Sequence, residues 1–262
     1  RAGPSNKDYP FVAPKWLRKF IRPPKGKFLA YMDFSHQEPC IQAALSGDTN
    51  LKAAVKEDVY MYTANQTGAT KGINDSKIKK AIRKIYKLAF LAIGYGMGDK
   101  GVGKQIQQSI VKAREVVANI KNLYSTYFKW INNTVEMFKI RGQMTTKHGW
   151  CISCKGVQNL NERSLGNWPI QSHGAEILYW TIINVRAAGF KIVATVHDAI
   201  MVEFDISPNI ILDVYKVRLI MERCAKEMVG MEIGVDYEPI LDSWKLEEEE
   251  EELFDEIMKL VG

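Results

Sequence analysis

Long apolar runs are missing from this sequence: no stretch of about eighteen or more uncharged apolar residues occurs, so nothing in it reads as a membrane-spanning helix. The N-terminus has neither a secretory apolar core nor a small-residue cleavage site, and a soluble, cytoplasmic protein with no membrane partner is expected. Cysteine is scarce. Of the four, only Cys151 and Cys154 are close together, and Cys40 and Cys224 do not supply the second pair that a zinc site needs, so ordinary reduced thiols are expected. No internal repeat is apparent. Strands and helices are mixed without regular βαβ alternation, which favours an α+β layer architecture over a doubly wound one. The first residue is Arg1 rather than Met, consistent with a start inside a longer parent chain.

What is present is a chain of 262 residues, 46% apolar and 25% charged, enough to bury a core as one large domain or two intimate lobes. The formal charge of +6 conceals a sharper contrast. Residues 247–262 hold eight acids and one lysine, so the remainder sets 35 basic residues against 22 acidic ones, a surplus of +13. Such a surplus suits a polyanion, because each cation that meets a phosphate releases condensed counterions.

Residues 1–26, rich in proline, lysine and aromatics, read as an extended, loop-rich N-terminal segment. Lys27 to Phe34 is strand-like and ends in an acid. Interrupted helices follow to Gln66, with Ser46-Gly47-Asp48 as a break, and Asn74 or Asp75 can cap a basic helix running to Gly94. After a glycine-dense connection, more helices lead to Ile140, and a hairpin is expected over Gln143 to Lys155. Asn161 to Ala188 is helical but broken or bent near Gly166 and Pro169. A second hairpin, Lys191 to Val196 and Ile200 to Phe204, turns at His197-Asp198-Ala199. A helix over Ile211 to Met228 and a strand over Glu232 to Tyr237 complete the pattern.

Two glycine motifs mislead. Gly96-x-Gly98-x-x-Gly101 matches a dinucleotide fingerprint, and Gly98 to Lys104 matches most of a phosphate-binding loop. Both need a preceding strand, whereas here a long basic helix comes first, and Gln105 stands where a Ser or Thr would hold magnesium.

Four clusters carry chemistry. Asp33-Phe34-Ser35-His36-Gln37-Glu38 ends the first strand; Arg83, Lys87, Leu91 and Tyr95-Gly96 recur at four-residue steps on one helix face; Arg163-x3-Asn167-x-Pro169-Ile170-Gln171 follows; and Val196-His197-Asp198 comes last. In this order and at these separations the clusters resemble motifs A, B and C of the family A DNA polymerases, over residues 27 to 244. The resemblance implies a right-hand polymerase core of α+β class, with an antiparallel palm sheet (27–66 and 143–246), helical fingers (67–142), no thumb in this chain, and an acidic C-terminal tail or helix (247–262).

It also implies roles. Asp33 and Asp198 would hold two Mg2+ ions, with the backbone carbonyl of Phe34, because hard cations take oxygen ligands and carboxylates on separate strands can bridge a pair. Arg83 and Lys87 would grip the triphosphate of a deoxynucleoside triphosphate, Lys87 also protonating the leaving pyrophosphate. Leu91, Tyr95 and Phe34 would border the incoming nucleotide, and Glu38 would exclude a ribose 2′-hydroxyl. Arg163, Asn167, Gln171 and His197 would touch primer-template DNA, the first three through minor-groove acceptors that every base pair offers. DNA-templated DNA synthesis in replication or repair is implied. Two alternatives remain: a single-subunit RNA polymerase or primase of the same fold, and a non-catalytic DNA-binding relative.

The match has gaps. Leu91 replaces an aromatic residue, Ala199 replaces a Glu, Tyr60 replaces a His, and Ser172-His173-Gly174 departs from the usual small-residue run. Arg1 is a candidate remnant of the family's Thr-Gly-Arg primer-contact segment. Thumb and exonuclease domains lie upstream of the first motif in this family, so low processivity is expected unless an upstream segment or accessory subunit supplies them. Leu253, Phe254, Ile257, Met258 and Leu260 have helical spacing after the glutamate run, which suggests a helix that docks on a partner.

Overall fold

The computed structural model of the chain describes residues 11, 14–154 and 161–261; Arg1 and Lys155 lie outside them. They fall into two compact units: residues 1–35, 175–227 and 232–262 form unit 1, and residues 36–174 and 228–231 form unit 2. The boundary after residue 35 falls inside the stretch 27–66, and that after 174 inside 143–246.

Unit 1 is built on a four-stranded antiparallel sheet. Its strands are β1 (Lys27–Phe34), β4 (Lys191–Val196), β5 (Ala199–Asp205) and β6 (Val235–Ile240), in the order β4-β5-β1-β6. In β1, Phe28, Ala30, Met32 and Phe34 are all buried, while Tyr31 and Asp33 alternate onto the other face. That second face is partly covered by a cluster of Phe11, Leu29, Val196, Met201, Ile240 and Trp244. A 3-10 helix (Lys15–Phe20) interrupts the N-terminal segment read as extended, and β6 begins three residues later than the sequence pattern suggests. Helix α9 (Ile210–Val229) buries Val217, Met221, Cys224 and Ala225. The C-terminal residues form α10 (Glu248–Val261).

Unit 2 is helical: α1 (Gln37–Ser46), α2 (Thr49–Ala54), α3 (Val59–Gln66), α4 (Ser76–Gly94), α5 (Asp99–Ile106), α6 (Ile110–Leu123) and α7 (Ser125–Arg141), with a small hairpin of β2 (Gln143–Thr145) and β3 (Cys151–Ser153). Aspartates set its helix starts. Asp75 accepts from the backbone N–H of Lys77 and Ile78 at 2.7 and 3.2 Å, capping α4. Asp48, only 2% exposed, accepts from the N–H of Leu51 with one oxygen and of Tyr127 with the other, so a buried acid serves the starts of two helices. Phe90 is buried against the rings of Tyr60 and Tyr124, at 6.0 and 5.8 Å. The core beneath the hairpin joins Val135, Phe138 and Leu165 to Met144, Ile152 and Cys154, so Cys154 acts there as a small hydrophobe.

Two expectations need correction. The glycine-dense stretch is mostly helix: Gly101 and Gly103 lie inside α5, and the connection from α4 shrinks to residues 95–98. Burial of Val102 and Ile106 outweighs the propensity cost of the glycines. Likewise α8 (Glu162–Ala187) is not broken at Pro169 and continues through it as one element. Its residues up to 174 belong to unit 2 and the rest to unit 1. Leu165, Ile170, Ile177 and Leu178 are all buried along it, which sustains the helix despite the hydrogen bond that proline removes.

Candidate active site

In unit 1 the sheet brings two sequence-distant acids together. The last registered pair between β1 and β5 is Met32 with Ile200, which leaves Asp33 and Asp198 just beyond it at the same end of the sheet. His197, at the turn between β4 and β5, takes a left-handed backbone (φ 55°) that β-carbon crowding normally disfavours. On the other side of β1, Asp33 pairs in register with Asp236, whose carboxylate accepts a 2.5 Å hydrogen bond from the Ser35 hydroxyl. Among the described residues no three His, Cys, Asp or Glu side chains form a metal-binding group.

Asp33 is the strained member. Burial, then the negative charge of Asp198, push its carboxyl up to about 7; the Phe34 N–H works in the opposite direction, and Asp236 adds to the rise. One of its oxygens, Oδ1, is buried with no hydrogen-bond partner. Tyr31, on the same face of β1, has its phenol pushed up by burial and then by Asp33 and Asp198, so both charges reach that face. An orphaned carboxylate oxygen beside a second carboxylate is an arrangement that a divalent cation relieves, and the donor set suits a hard one.

In unit 2, α4 presents its predicted residues in sequence. Arg83 donates from Nε to Asp58 at 2.7 Å and pairs through Nη2 at 2.5 Å. The other oxygen of Asp58 caps α3, accepting from the N–H of Tyr60 and Met61. Burial alone would raise the Asp58 carboxyl, but the Arg83 hydrogen bond, the Met61 N–H and nearby positive charge together hold it below the ordinary range. Tyr60 lies beneath both cations, with Arg83 5.5 Å and Lys87 5.9 Å from its ring centre. Burial pushes the Tyr60 phenol up to about 12, so it remains neutral under them. Lys87 is exposed and Leu91 half-buried, while Phe90 points into the core as helical geometry requires.

At the end of α4, Tyr95 donates its hydroxyl to both oxygens of Glu38, at 2.8 and 3.0 Å, and Gln171 donates its side-chain N–H to Glu38 at 2.9 Å. Three clusters that were separate in sequence therefore meet at one carboxylate. Arg163 joins them through Gly96, where a β-carbon would stand 2.8 Å from the arginine Cγ and the backbone has φ 74°; only glycine fits. A cavity of about 330 Å³ opens beside this contact, lined in part by Gly96, Gly98, Lys121 and Arg163. Gly174 lies close to Gln37, whose side-chain oxygen would stand 2.7 Å from a β-carbon there and would have to move to admit one, and His173 is spent on the Pro169 carbonyl at 2.6 Å. Asn167 lies on α8 one helical turn beyond Arg163. Sequence reading missed the parts played by Asp58, Tyr60, Asp236 and Tyr31. The aspartate three residues before Met61 had a capping signature that could have marked it.

An antiparallel sheet with two strand-end acids, accompanied by a basic helix ending in Tyr-Gly, defines a polymerase-type α+β core. Residues 12–240 match the model of DNA polymerase family A, and the chain belongs to that family. It is 28% identical over 203 residues to DNA polymerase I of Caldicellulosiruptor bescii, a match covering 72% of this chain and 24% of that protein. The thermostable DNA polymerase I of Thermus thermophilus is 25% identical over 203 residues, 71% of this chain and 24% of its own length. The chain thus spans about a quarter of the length of these curated relatives. Among solved structures, the POL domain of Pol1 from M. smegmatis in complex with DNA primer-template and dNTP aligns with a TM-score of 0.75 at 20% identity, covering 86% of this chain and 42% of that one. That likeness shows the fold, an α+β polymerase core.

Proposed function

We propose that this chain is the catalytic palm and fingers of a DNA-templated DNA polymerase, which adds deoxynucleotides to a primer 3′ end. The observation that carries the reading is the Asp33–Asp198 pair, with one oxygen of Asp33 buried and unsatisfied and its proton affinity raised by burial and then by the charge of Asp198. Asp33 and Asp198, with the carbonyl of Phe34, would hold two Mg2+ ions. When bound, these supply Lewis-acid activation of the primer hydroxyl and charge neutralisation on the triphosphate. The protein's own groups do the rest. Lys87, exposed above the Tyr60 ring, would meet the β- and γ-phosphates and give a proton to the departing pyrophosphate. Arg83 adds a second cation by exchanging Asp58 for phosphate. Tyr95 and Leu91 border the base.

Glu38 sets the choice of sugar. Because Tyr95 and Gln171 fix its carboxylate, it cannot swing aside without breaking hydrogen bonds, and a rigid wall rejects the 2′-hydroxyl better than a mobile one. That restraint favours deoxynucleotides over the ribonucleotides of the RNA polymerase and primase reading. Arg163, Asn167, Gln171 and His197 are assigned to primer-template contacts, and the protein is placed at intracellular DNA. The test is primer extension by the purified chain with deoxy- or ribonucleotides and with magnesium or a chelator. Magnesium-dependent extension with deoxynucleotides is expected; DNA binding without extension, under conditions where a thumb-bearing relative extends, would make this a non-catalytic family member.

A further inference from the structure

Helix α10 is occupied within its own unit. Its Glu250 pairs with Lys15 at 3.1 Å, its Glu251 pairs with Lys19, and its Phe254 ring lies 6.4 Å from Trp16 and 5.4 Å from Phe20. The surface beneath it is the 3-10 helix, where Lys15 and Lys19 alternate with Trp16 and Phe20, and where exposed Arg22 and Lys25 follow. Arg18 is not part of that surface. It turns inward, donating to the Phe11 carbonyl at 3.3 Å and lying over the rings of Phe11 and Trp244.

Cations interleaved with aromatic rings are the chemistry that holds single-stranded nucleic acid, the cations meeting phosphates and the rings stacking on bases of any identity. The α10 helix meets the same surface with carboxylates on the lysines and an aryl ring on the aromatics. We propose that the 3-10 helix is a contact site for single-stranded DNA, and that α10 is its built-in competitor, masking the site until a strand displaces it. The cover is light enough to be displaced. Lys15 keeps 57% of its side chain exposed under it, Phe20 is 54% exposed, and Leu253, Met258 and Leu260 face solvent. Exposed ion pairs are weak and screened by salt, whereas a strand brings several phosphates and bases at once.

The location gives the contact a use. Trp244 packs edge-on against Tyr31 at 5.0 Å, and a cavity of about 420 Å³ is lined by Lys15, Arg18, Tyr31, Glu238, Trp244 and Glu250 among others. Tyr31 shares its face of β1 with Asp33, so the cavity beside the 3-10 helix opens on the acid-bearing face of the sheet. Strand binding requires no turnover, and the inference stands or falls apart from the polymerase reading.

The test compares binding of labelled oligo(dT) by the full-length chain and by an E250Q/E251Q/F254A variant, which keeps the helix but removes its grip. The variant should bind about 10-fold tighter at low salt, with a logarithmic salt slope steeper by about 1.4, two freed lysines at roughly 0.7 per single-strand phosphate. Adding Trp16→Ala should erase most of the gain, and heparin, a polyanion without bases, should gain far less. Equal affinity of variant and parent overturns the proposal, as does a gain that Trp16→Ala leaves intact or that heparin reproduces. Should the variant fail to fold by circular dichroism, hydrogen exchange on the unaltered chain decides: oligo(dT) must speed exchange of the α10 amides while slowing those of residues 15–20, and an unchanged α10 overturns it.

Discussion

Asp33 and Glu38 stand a few residues apart in the chain, yet the fold treats them in opposite ways. Glu38 has its carboxylate filled by Tyr95 and Gln171, whereas Asp33 keeps a buried oxygen empty and sits beside another acid. The first is fixed as a shape; the second is held as an unmet charge. A carboxylate that is to exclude something gains from satisfied hydrogen bonds, because they remove its freedom to move. A carboxylate that is to bind a cation gains from unsatisfied lone pairs, at a cost to the stability of the protein. Asp58 is a third case, in which a carboxylate stores a cation, Arg83, while capping a helix.

The sharpest way to break this contrast is to remove the charges. Asp33→Ala or Asp198→Ala should lower primer extension by at least ~1,000-fold while duplex binding measured by anisotropy stays close to normal. Substantial turnover by either purified variant would end the assignment of the pair. Lys87→Ala should come next, lowering kcat/KM for nucleotide by at least ~100-fold with an unchanged melting temperature. An effect confined to stability would instead make Lys87 a partner of Tyr60 and nothing more. Loosening Glu38, the proposed gate, should have a smaller effect. Gln171→Ala leaves Glu38 in place but removes one restraint, and discrimination against ribonucleotides should fall by less than in Glu38→Ala, for which ~10–100-fold is expected. Equal selectivity in all three proteins would move the gate elsewhere.

Much of this was legible from local pattern. The strand-like mixture of aromatic and apolar residues from Lys27 to Phe34, the capping aspartate before Ser76, and the hairpin around His197-Asp198 each reflect forces that act within a few residues, and each is where the pattern puts it. The failures share one cause. Pro169 and the glycines after Gly98 are strong local signals for irregular backbone, but burial of Leu165, Ile170, Val102 and Ile106 carries the helices through them. Among site residues, the convergence of Glu38, Tyr95 and Gln171 could not be read from spacing, because hydrogen bonds between distant segments leave no period in a sequence. Nor could the contact that α10 makes: its apolar residues at helical spacing suggested a helix that docks on a partner, and the ring of Phe254 lies against Trp16 and Phe20 of the 3-10 helix in the same unit.

The smallest predicted effect is also the most direct reading of the unmet charge. In a metal-free buffer, the Asp33 carboxyl titrates near 3.8 in an ordinary setting and at about 7 in the folded chain, so the folded state binds the proton more tightly than the unfolded one does. Below the ordinary value both states are protonated, and Asp33 does not oppose folding. As pH rises towards 7 the unfolded chain loses its proton freely while the folded chain resists, so stability is lost over that interval and the full penalty applies above it. Asp33→Asn removes the charge and keeps the shape. Its melting temperature should exceed that of the parent by a few degrees at pH 8, where ~1 kcal/mol corresponds to about 2–4 °C in a chain of this size, and the two should converge near pH 4. Differential scanning calorimetry with chelator present makes the comparison. Added magnesium should narrow the gap at pH 8 by stabilising the parent alone, since only the parent retains both carboxylates; a gap that neither pH nor magnesium alters would mean that Asp33 is not held as a charge in waiting.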